Sequence, residues 1–470
     1  MPEGRPRFVG WLGVILSFLA VLVFVVPRDL SMEKQYTGDL RNRVVGARLI
    51  HDGRSPYFYK WKTGDGVRYY DPANFDSLRS SNSTATPFFH HLLIPLAEWP
   101  ESRASIGWLI AEYLFFGGIL ALALSMAATI PRRWTILLTA ALFLLTAGWK
   151  AHIALGQSYI CIPFFAMLFL WFLIRGAERH IAGRLRPADL NHPASLFYPA
   201  AAGLAAAFLV LIKPNAILFL LPFLFLTRAF SRRQLWACCA VPVILLAWIL
   251  ISPQERALWV DYREGVTEQI KMHQHLHPAL QQNEPDPHLA VFEGIDQRAV
   301  AELEARQPLS LFSENGNVFV LVEKLFHRRL SLTMMSVAAG TLILLLTGLY
   351  FLRLRHSPPG PSTPGPPAST LQHAAIMGFC LYMVSDLFSP VYRHQYYTVQ
   401  WICPLLIAAA LFEPALRRYY ILLLAGLLLN IFHADFIKMG HTLGEYLLLV
   451  TLLAFVLLPE RRSPVLHNFS

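Results

Sequence analysis

Charged residues are scarce in this 470-residue chain: 15% are Asp, Glu, Lys or Arg, against 55% that are hydrophobic. The apolar residues also lack the period of 2 or 3.6 that marks an element with one buried face, and come in long blocks instead. These deficits exclude an ordinary water-soluble fold. With a mean hydropathy of +0.43 they describe an all-α, polytopic transmembrane protein. Cysteine is sparse too. Cys161, Cys238, Cys239, Cys380 and Cys403 all fall in apolar segments, without ligand-like spacing to histidine, which argues against both a disulfide framework and a zinc site. The formal charge of +10 comes with no Lys/Arg block and no RNA-binding signature, so no nucleic-acid partner is expected. There is no visible internal repeat, which weighs against inverted-repeat transporters. No small-x-small cleavage site follows the run from Phe8 to Val26, so that run reads as a retained first helix.

About twelve spans can be drawn: 8 to 26, 104 to 130, 134 to 149, 157 to 174, 196 to 212, 215 to 227, 235 to 252, 330 to 352, 372 to 389, 396 to 412, 419 to 433 and 442 to 458. Those at 134, 215 and 419 are short for a bilayer core of about 30 Å and have the length of broken or re-entrant segments. With the N-terminus inside, seventeen arginines from Arg5 to Arg462 lie on that side, while the short outer turns hold only Lys150, Lys213, Arg393 and Lys438. That bias sets the orientation. Two long loops, 27–103 and 253–329, are then outside. The segment "SPPGPSTPGPPAS" reads as an inner linker. It divides an N-terminal module (1–356, about eight spans) from a C-terminal four-helix module (372–470), with 357–371 between them.

In "TGDLRNRVVGARLIHDG", apolar residues alternate with Arg41, Arg43 and Arg48, and Gly53 follows. The pattern predicts a short amphipathic helix on the outer surface, with Asp39 at or just before its first turn. Asp39 has two readings there, an N-cap accepting hydrogen bonds from free backbone amides or an acid with chemistry to do. The arginines are interfacial side chains or headgroup contacts.

Several motifs together resemble the GT-C glycosyltransferases. They are the first-loop Asp followed by a helix and "DGRSPY", "ALGQSY" opening a span, the basic inner loop with "AGRL", "LIKPNAILFLLPFLFLTRAF", and "FSPVYRHQYY" in a late outer turn. The similarity runs from about 8 to 412. It is nearest to the polyprenol-phosphate-mannose-dependent alpha-mannosyltransferases. The family commonly has two adjacent histidines in the late motif, whereas this chain has His394 alone, between Arg393 and Gln395. Its Tyr-Pro-Pro-like first-loop segment appears here only as "SNSTATPFFHH".

The resemblance implies a GT-C-like fold in a bacterial cytoplasmic membrane with the active site on the outer face. It also implies transfer of a sugar, mannose first, from a polyprenyl-phosphate donor to a cell-envelope lipid or glycan acceptor, with inversion. Membrane lipids are the remaining partners, and no cofactor is called for. The first-loop Asp, here Asp39, is the general base. The leaving lipid phosphate needs fixed cations, for which Lys213, Arg393 and His394 are the outer-side candidates, with Arg41 and Arg43 beside the base. Lys213 also fits a snorkelling helix end and His394 an ordinary interfacial histidine. Gln157 bonds either a sugar hydroxyl or a neighbouring helix.

His90 and His91 diverge as i,i+1 residues on a helix and make no metal pair. His273, His275 and His277 lack a partner motif, and a lid or acceptor role suits their long loop better. If Asp39 is only a cap, the base is to be sought at Asp65, Asp71 or Asp76. The rival class is a multi-span secondary transporter or lipid flippase. It would place ionisable groups at mid-membrane, where the sequence offers only Glu112 and Asp386 near span ends.

Overall fold

The structure of the protein is a computed structural model that describes residues 5–33, 38–70, 83–185, 194–227, 230–273, 316–318, 321–322, 326, 328, 330–356, 367–389, 393–432 and 440–458. Of the sequence expectations, those on residues 357–366, His275, His277, Asp71, Asp76 and Lys438 lie outside the described residues. The described residues form helices and no strands.

In chain order the helices are α1 (Arg5–Glu33), α2 (Gly38–His51), α3 (Pro87–Ala97), α4 (Glu101–Met126), α5 (Ile130–Leu144), α6 (Ala147–Leu155), α7 (Cys161–Leu185) and α8 (Ala194–Ile212). They continue as α9 (Leu221–Leu224), α10 (Arg232–Ile251), α11 (Pro253–His273), α12 (Leu332–His356), α13 (Ala368–Leu387), α14 (Ile402–Ala410), α15 (Arg417–Ile431) and α16 (Gly440–Leu457). Two 3₁₀ segments, Pro214–Leu220 and Gln395–Trp401, precede α9 and α14.

Among the described residues, six stretches are long and apolar enough to cross a membrane: Gly13–Met32, Glu101–Met126, Cys161–Arg179, Arg232–Ile251, Thr333–His356 and Pro414–Ile431. The span drawn at 134 to 149 is a broken one. α5 stops at Leu144, and α6 restarts at a bend of 59°, where Thr146 caps its first turn by accepting from the Trp149 amide. Counting that pair gives seven. Leu196–Ile212, Pro214–Leu224 and His441–Leu457 form shorter apolar helices, because Pro214, Pro222 and flanking turns divide the apolar runs.

α13 is the centre of the bundle. From Leu371 to Leu387 nearly every side chain is buried, as expected of a helix apolar on all sides. It packs against α7, α9, α12, α14, α16 and the 3₁₀ segment 214–220. A Cβ at Gly378 would fall 2.1 Å from the Phe219 carbonyl oxygen, so only glycine lets that segment lie against α13. Residues from both sides of the Pro-rich segment contribute to one apolar core.

α1, α10 and α12 instead present large apolar side chains outward, among them Val23, Phe24, Trp236, Val243, Ile244, Val337 and Leu344. Surfaces of that size are stable in lipid, not in water. α2 is a helix as the sequence predicts, but it is largely covered. Leu40 and Arg43 through Ala47 are buried, with α3 packed along it, so its open face is narrower than the apolar/basic alternation suggests.

Candidate active site

The turn "ALGQSY" carries the first part of the site. α6 ends at Gly156, whose left-handed backbone (φ 58°) closes the helix onto the His152 and Ile153 carbonyls. A Cβ there would also lie 2.6 Å from Leu40 Cβ, so glycine lets the turn close down on the start of α2. Gln157 follows, fully buried. Its Nε2 donates to Asp39 Oδ2, and its Oε1 accepts from Arg43 Nη2. Arg43 Nη1 also donates to the Gly156 carbonyl at 3.2 Å. Asp39 is the second residue of α2, inside the first turn rather than ahead of it, and only partly exposed.

The second part is built by two turns that meet at Asp386, near the end of α13. Pro following Lys213 excludes that residue from helical geometry, so α8 ends and Lys213 extends (φ −140°, ψ 96°). Its Nζ lies over the rings of Tyr159 (5.3 Å) and Tyr397 (5.6 Å) and 3.8 Å from Asp386 Oδ1. Tyr159 packs on Tyr397 at 4.3 Å and on Tyr396 at 5.7 Å. His394 stacks on Tyr396 at 4.8 Å and 14°. An aromatic wall thus runs from two residues past Gln157 to His394.

Behind the wall lies a buried ion group. Arg393 is 2% exposed. It makes a two-pronged bond to Glu445 (Nε–Oε2 2.9 Å, Nη2–Oε1 2.8 Å) and a third contact from Nη1 to Asp386 Oδ2. Trp401 Nε1 adds a bond to Glu445 Oε1 at 3.0 Å. The Gly316 amide donates to the Arg393 carbonyl at 3.2 Å, and Tyr446 Oη donates to the Gly316 carbonyl at 3.2 Å. The end of the second long loop is therefore fastened beside this turn.

Of the predicted residues, Asp39, Arg43, Gln157, Lys213, Arg393 and His394 converge here from four separate parts of the chain. Arg41 does not. It points to Glu101, with which it pairs, and lies over the Tyr70 ring, because residues i and i+2 of a helix face apart. Asp65 is held in the loop by Tyr59 and the Lys62 amide. The two histidines of α3 diverge as expected: His90 contacts Ser83 and the Arg43 carbonyl, and His91 pairs with Glu255 on α11. Among the described residues no group of three or more His, Cys, Asp or Glu is arranged to hold a metal.

Sequence reasoning missed Glu445, the tyrosines of the wall, and Asp29, which is buried and accepts from Trp149 Nε1 (2.8 Å) and Tyr113 Oη (2.7 Å). It also placed Glu112 near a span end, whereas it is buried midway along α4, 3.2 Å from His152 Nε2. The available signal was an acidic residue set inside an apolar run, present at both Glu112 and Glu445.

Residues 84–283 match the model of Glycosyltransferase family 87, a segment that contains Gln157 and Lys213 but not Asp39, Arg393 or His394. No curated protein matches the chain. Among solved structures, the chain is similar to the archaeal oligosaccharyltransferase AglB from Archaeoglobus fulgidus in complex with an inhibitory peptide and a dolichol-phosphate, at 15% identity and a TM-score of 0.40, covering 93% of this chain and 56% of that one. It is also similar to the Archaeoglobus fulgidus oligosaccharyltransferase tethered to an acceptor peptide, at 13% identity and a TM-score of 0.44, covering 93% and 55%. The chain thus spans little more than half the length of those proteins.

Proposed function

We propose that the chain is an integral-membrane glycosyltransferase of GT-C type. It takes a sugar, mannose in the first instance, from a polyprenyl-phosphate donor and passes it with inversion to a hydroxyl of a cell-envelope lipid or glycan on the outer face of a bacterial cytoplasmic membrane. On this reading the three shorter apolar segments, α13 and the segment 395–410 complete about twelve crossings. The family match over residues 84–283 supports sugar transfer. The observation that carries the residue assignment is the convergence of a partly exposed carboxylate, Asp39, held by Gln157, with Lys213 and His394 along one wall of tyrosine rings.

The chemistry follows from that arrangement. An acceptor hydroxyl attacks the anomeric carbon as the bond from that carbon to the phosphate oxygen breaks, and its proton passes to Asp39. A base so placed contributes roughly 10²- to 10⁴-fold. The donor is a phosphodiester, so the departing polyprenyl phosphate gains one negative charge. Lys213 stands beyond hydrogen-bond range of Asp386, and its ammonium group is the cation that meets this charge, with His394 beside it. Arg393, bonded to two carboxylates, serves in this account to fix Asp386 and the turn that presents His394.

The second reading is a secondary transporter or lipid flippase. The buried groups Glu112–His152 and Asp386–Arg393–Glu445 favour it, since ionisable residues inside a helical bundle often line transport paths. Incubating purified protein with a set of radiolabelled polyprenyl-phosphate sugars and acceptor lipids, followed by product analysis, separates the two. The transferase reading predicts a glycosylated product without any second compartment. Uptake or flipping of the donor in vesicles with no product contradicts it.

A further inference from the structure

Gln157 is placed between a cation and an anion. Arginine has no acceptor and a carboxylate has no donor, so the amide has only one orientation that satisfies both neighbours: its oxygen to Arg43 and its nitrogen to Asp39. The residue is fully buried, and its backbone is fixed by the Gly156 turn, whose carbonyl takes the second donor of Arg43. Arg43 is itself buried and held in place from the other side, where His90 Nδ1 meets its carbonyl at 3.1 Å. The charged and titratable groups around Asp39 include Arg43 on its own helix, Tyr159 after the α6 turn, and Tyr396 from the late turn.

We infer that Gln157 is the positioning residue of the base, an amide locked by Arg43 that engages one carboxylate oxygen of Asp39 and so presents the other to the acceptor hydroxyl. The inference rests on the reading of Asp39 as base. It assigns Gln157 no contact with the sugar. Arg43 acts one step further back, by fixing the amide so that only its N–H face meets Asp39. A simple interhelical bond would serve packing alone, whereas this arrangement also sets which proton-accepting oxygen is available.

The test uses the purified full chain, radiolabelled polyprenyl-phosphate mannose, or whichever donor of the set the wild type uses, and the acceptor it glycosylates. Gln157→Glu keeps the acceptor for Arg43 but sets a second carboxylate against Asp39. The two then compete for a proton. The acid limb of the kcat profile should move up by about 1 pH unit or more. Gln157→Met keeps the volume and loses the donor. It should lower kcat about tenfold or more with donor KM nearly unchanged, and move the acid limb in the same direction by less. If Gln157→Glu does not fold, as judged by its thermal midpoint, Gln157→Met alone decides. An acid limb at the wild-type position in either folded variant overturns the inference. Asp39→Asn run alongside keeps the two claims apart. An inactive Asp39→Asn with unshifted Gln157 variants refutes only the positioning role, while an active Asp39→Asn refutes the base and the positioning role with it.

Discussion

Arg393 lies between Asp386 and Glu445 with all three side chains buried, so its removal leaves Glu445 without a cation and Asp386 with only Lys213 at 3.8 Å. Arg393→Ala should destabilise the protein by about 3–5 kcal/mol, seen as a lower thermal midpoint in detergent. Arg393→Lys should not rescue it, because an ammonium group cannot reproduce the two-pronged bond to Glu445. Lys213 is different in kind. It is partly exposed, and its partners are two ring faces and a carboxylate beyond hydrogen-bond range. Lys213→Met should therefore leave the fold nearly intact and reduce turnover of the lipid donor about 10- to 100-fold, the worth of a charge-assisted contact of about 1.5–3 kcal/mol. His394→Ala should act in the same direction, since the ring stacks at the end of the aromatic wall rather than within the core. Wild-type kinetics in either variant removes that residue from the site.

α2 depends on its neighbours more than on its own sequence. Gly156 allows the α6 turn to touch Leu40, and its backbone is left-handed. Gly156→Ala thus meets both a close contact and a backbone penalty of about 1–2 kcal/mol, and it should lower activity together with stability because Gln157 moves with the turn. At its other end α2 is fastened by Arg68, which bonds Asp52 and Glu98. Hydrogen bonds from Arg68 and Tyr69 bring the Asp52 carboxyl down to about 2. A carboxyl lowered on folding stabilises the fold above its unfolded value near 3.8 and loses that effect as pH falls through the folded value. Amide exchange in residues 52–70 should accordingly quicken, after correction for intrinsic rates, between pH 4 and 2, and Asp52→Asn should weaken that step, leaving the part carried by Glu98 and Asp65, whose carboxyls are lowered by hydrogen bonds from Arg68 and Tyr59. The helix itself was readable from the alternation around Arg41 and Arg43. Its burial was not, because α3 covers it from a point some forty residues further on.

At the level of the whole chain, the blocks of apolar residues gave the helical class and the motifs gave the residues that meet in space. Gln157, Lys213 and His394 could be named because each sits in a short polar turn between apolar runs, where few alternatives exist, and Asp39 because it opens the one amphipathic stretch of the first long loop. Glu445 and Tyr159 could not. An acid inside a helix acquires meaning only when its partner, Arg393, is known to pack against it. The broken span at Leu144 and Ala147 was foreseeable from length, but its bend of 59° follows from the Thr146 cap and from packing on the segment 395–401. Orientation remains a prediction of the arginine bias. In a background without the five native cysteines, Ser362→Cys should react with a membrane-impermeant thiol reagent only from the inside, and Asp65→Cys only from the outside. The reverse pattern inverts the site.

The central claim is that Asp39 accepts the acceptor's proton, and Asp39→Asn tests it most directly. The asparagine side chain has the same shape and still offers an oxygen to Gln157 Nε2, so the turn, the helix start and donor binding should all persist. It has no proton-accepting state near neutral pH. Transfer from the radiolabelled donor, measured under single-turnover conditions with folding and donor binding verified, should fall by about 10² or more. Transfer at a near wild-type rate would show that the carboxylate between Gln157 and solvent is structural, and would contradict the account.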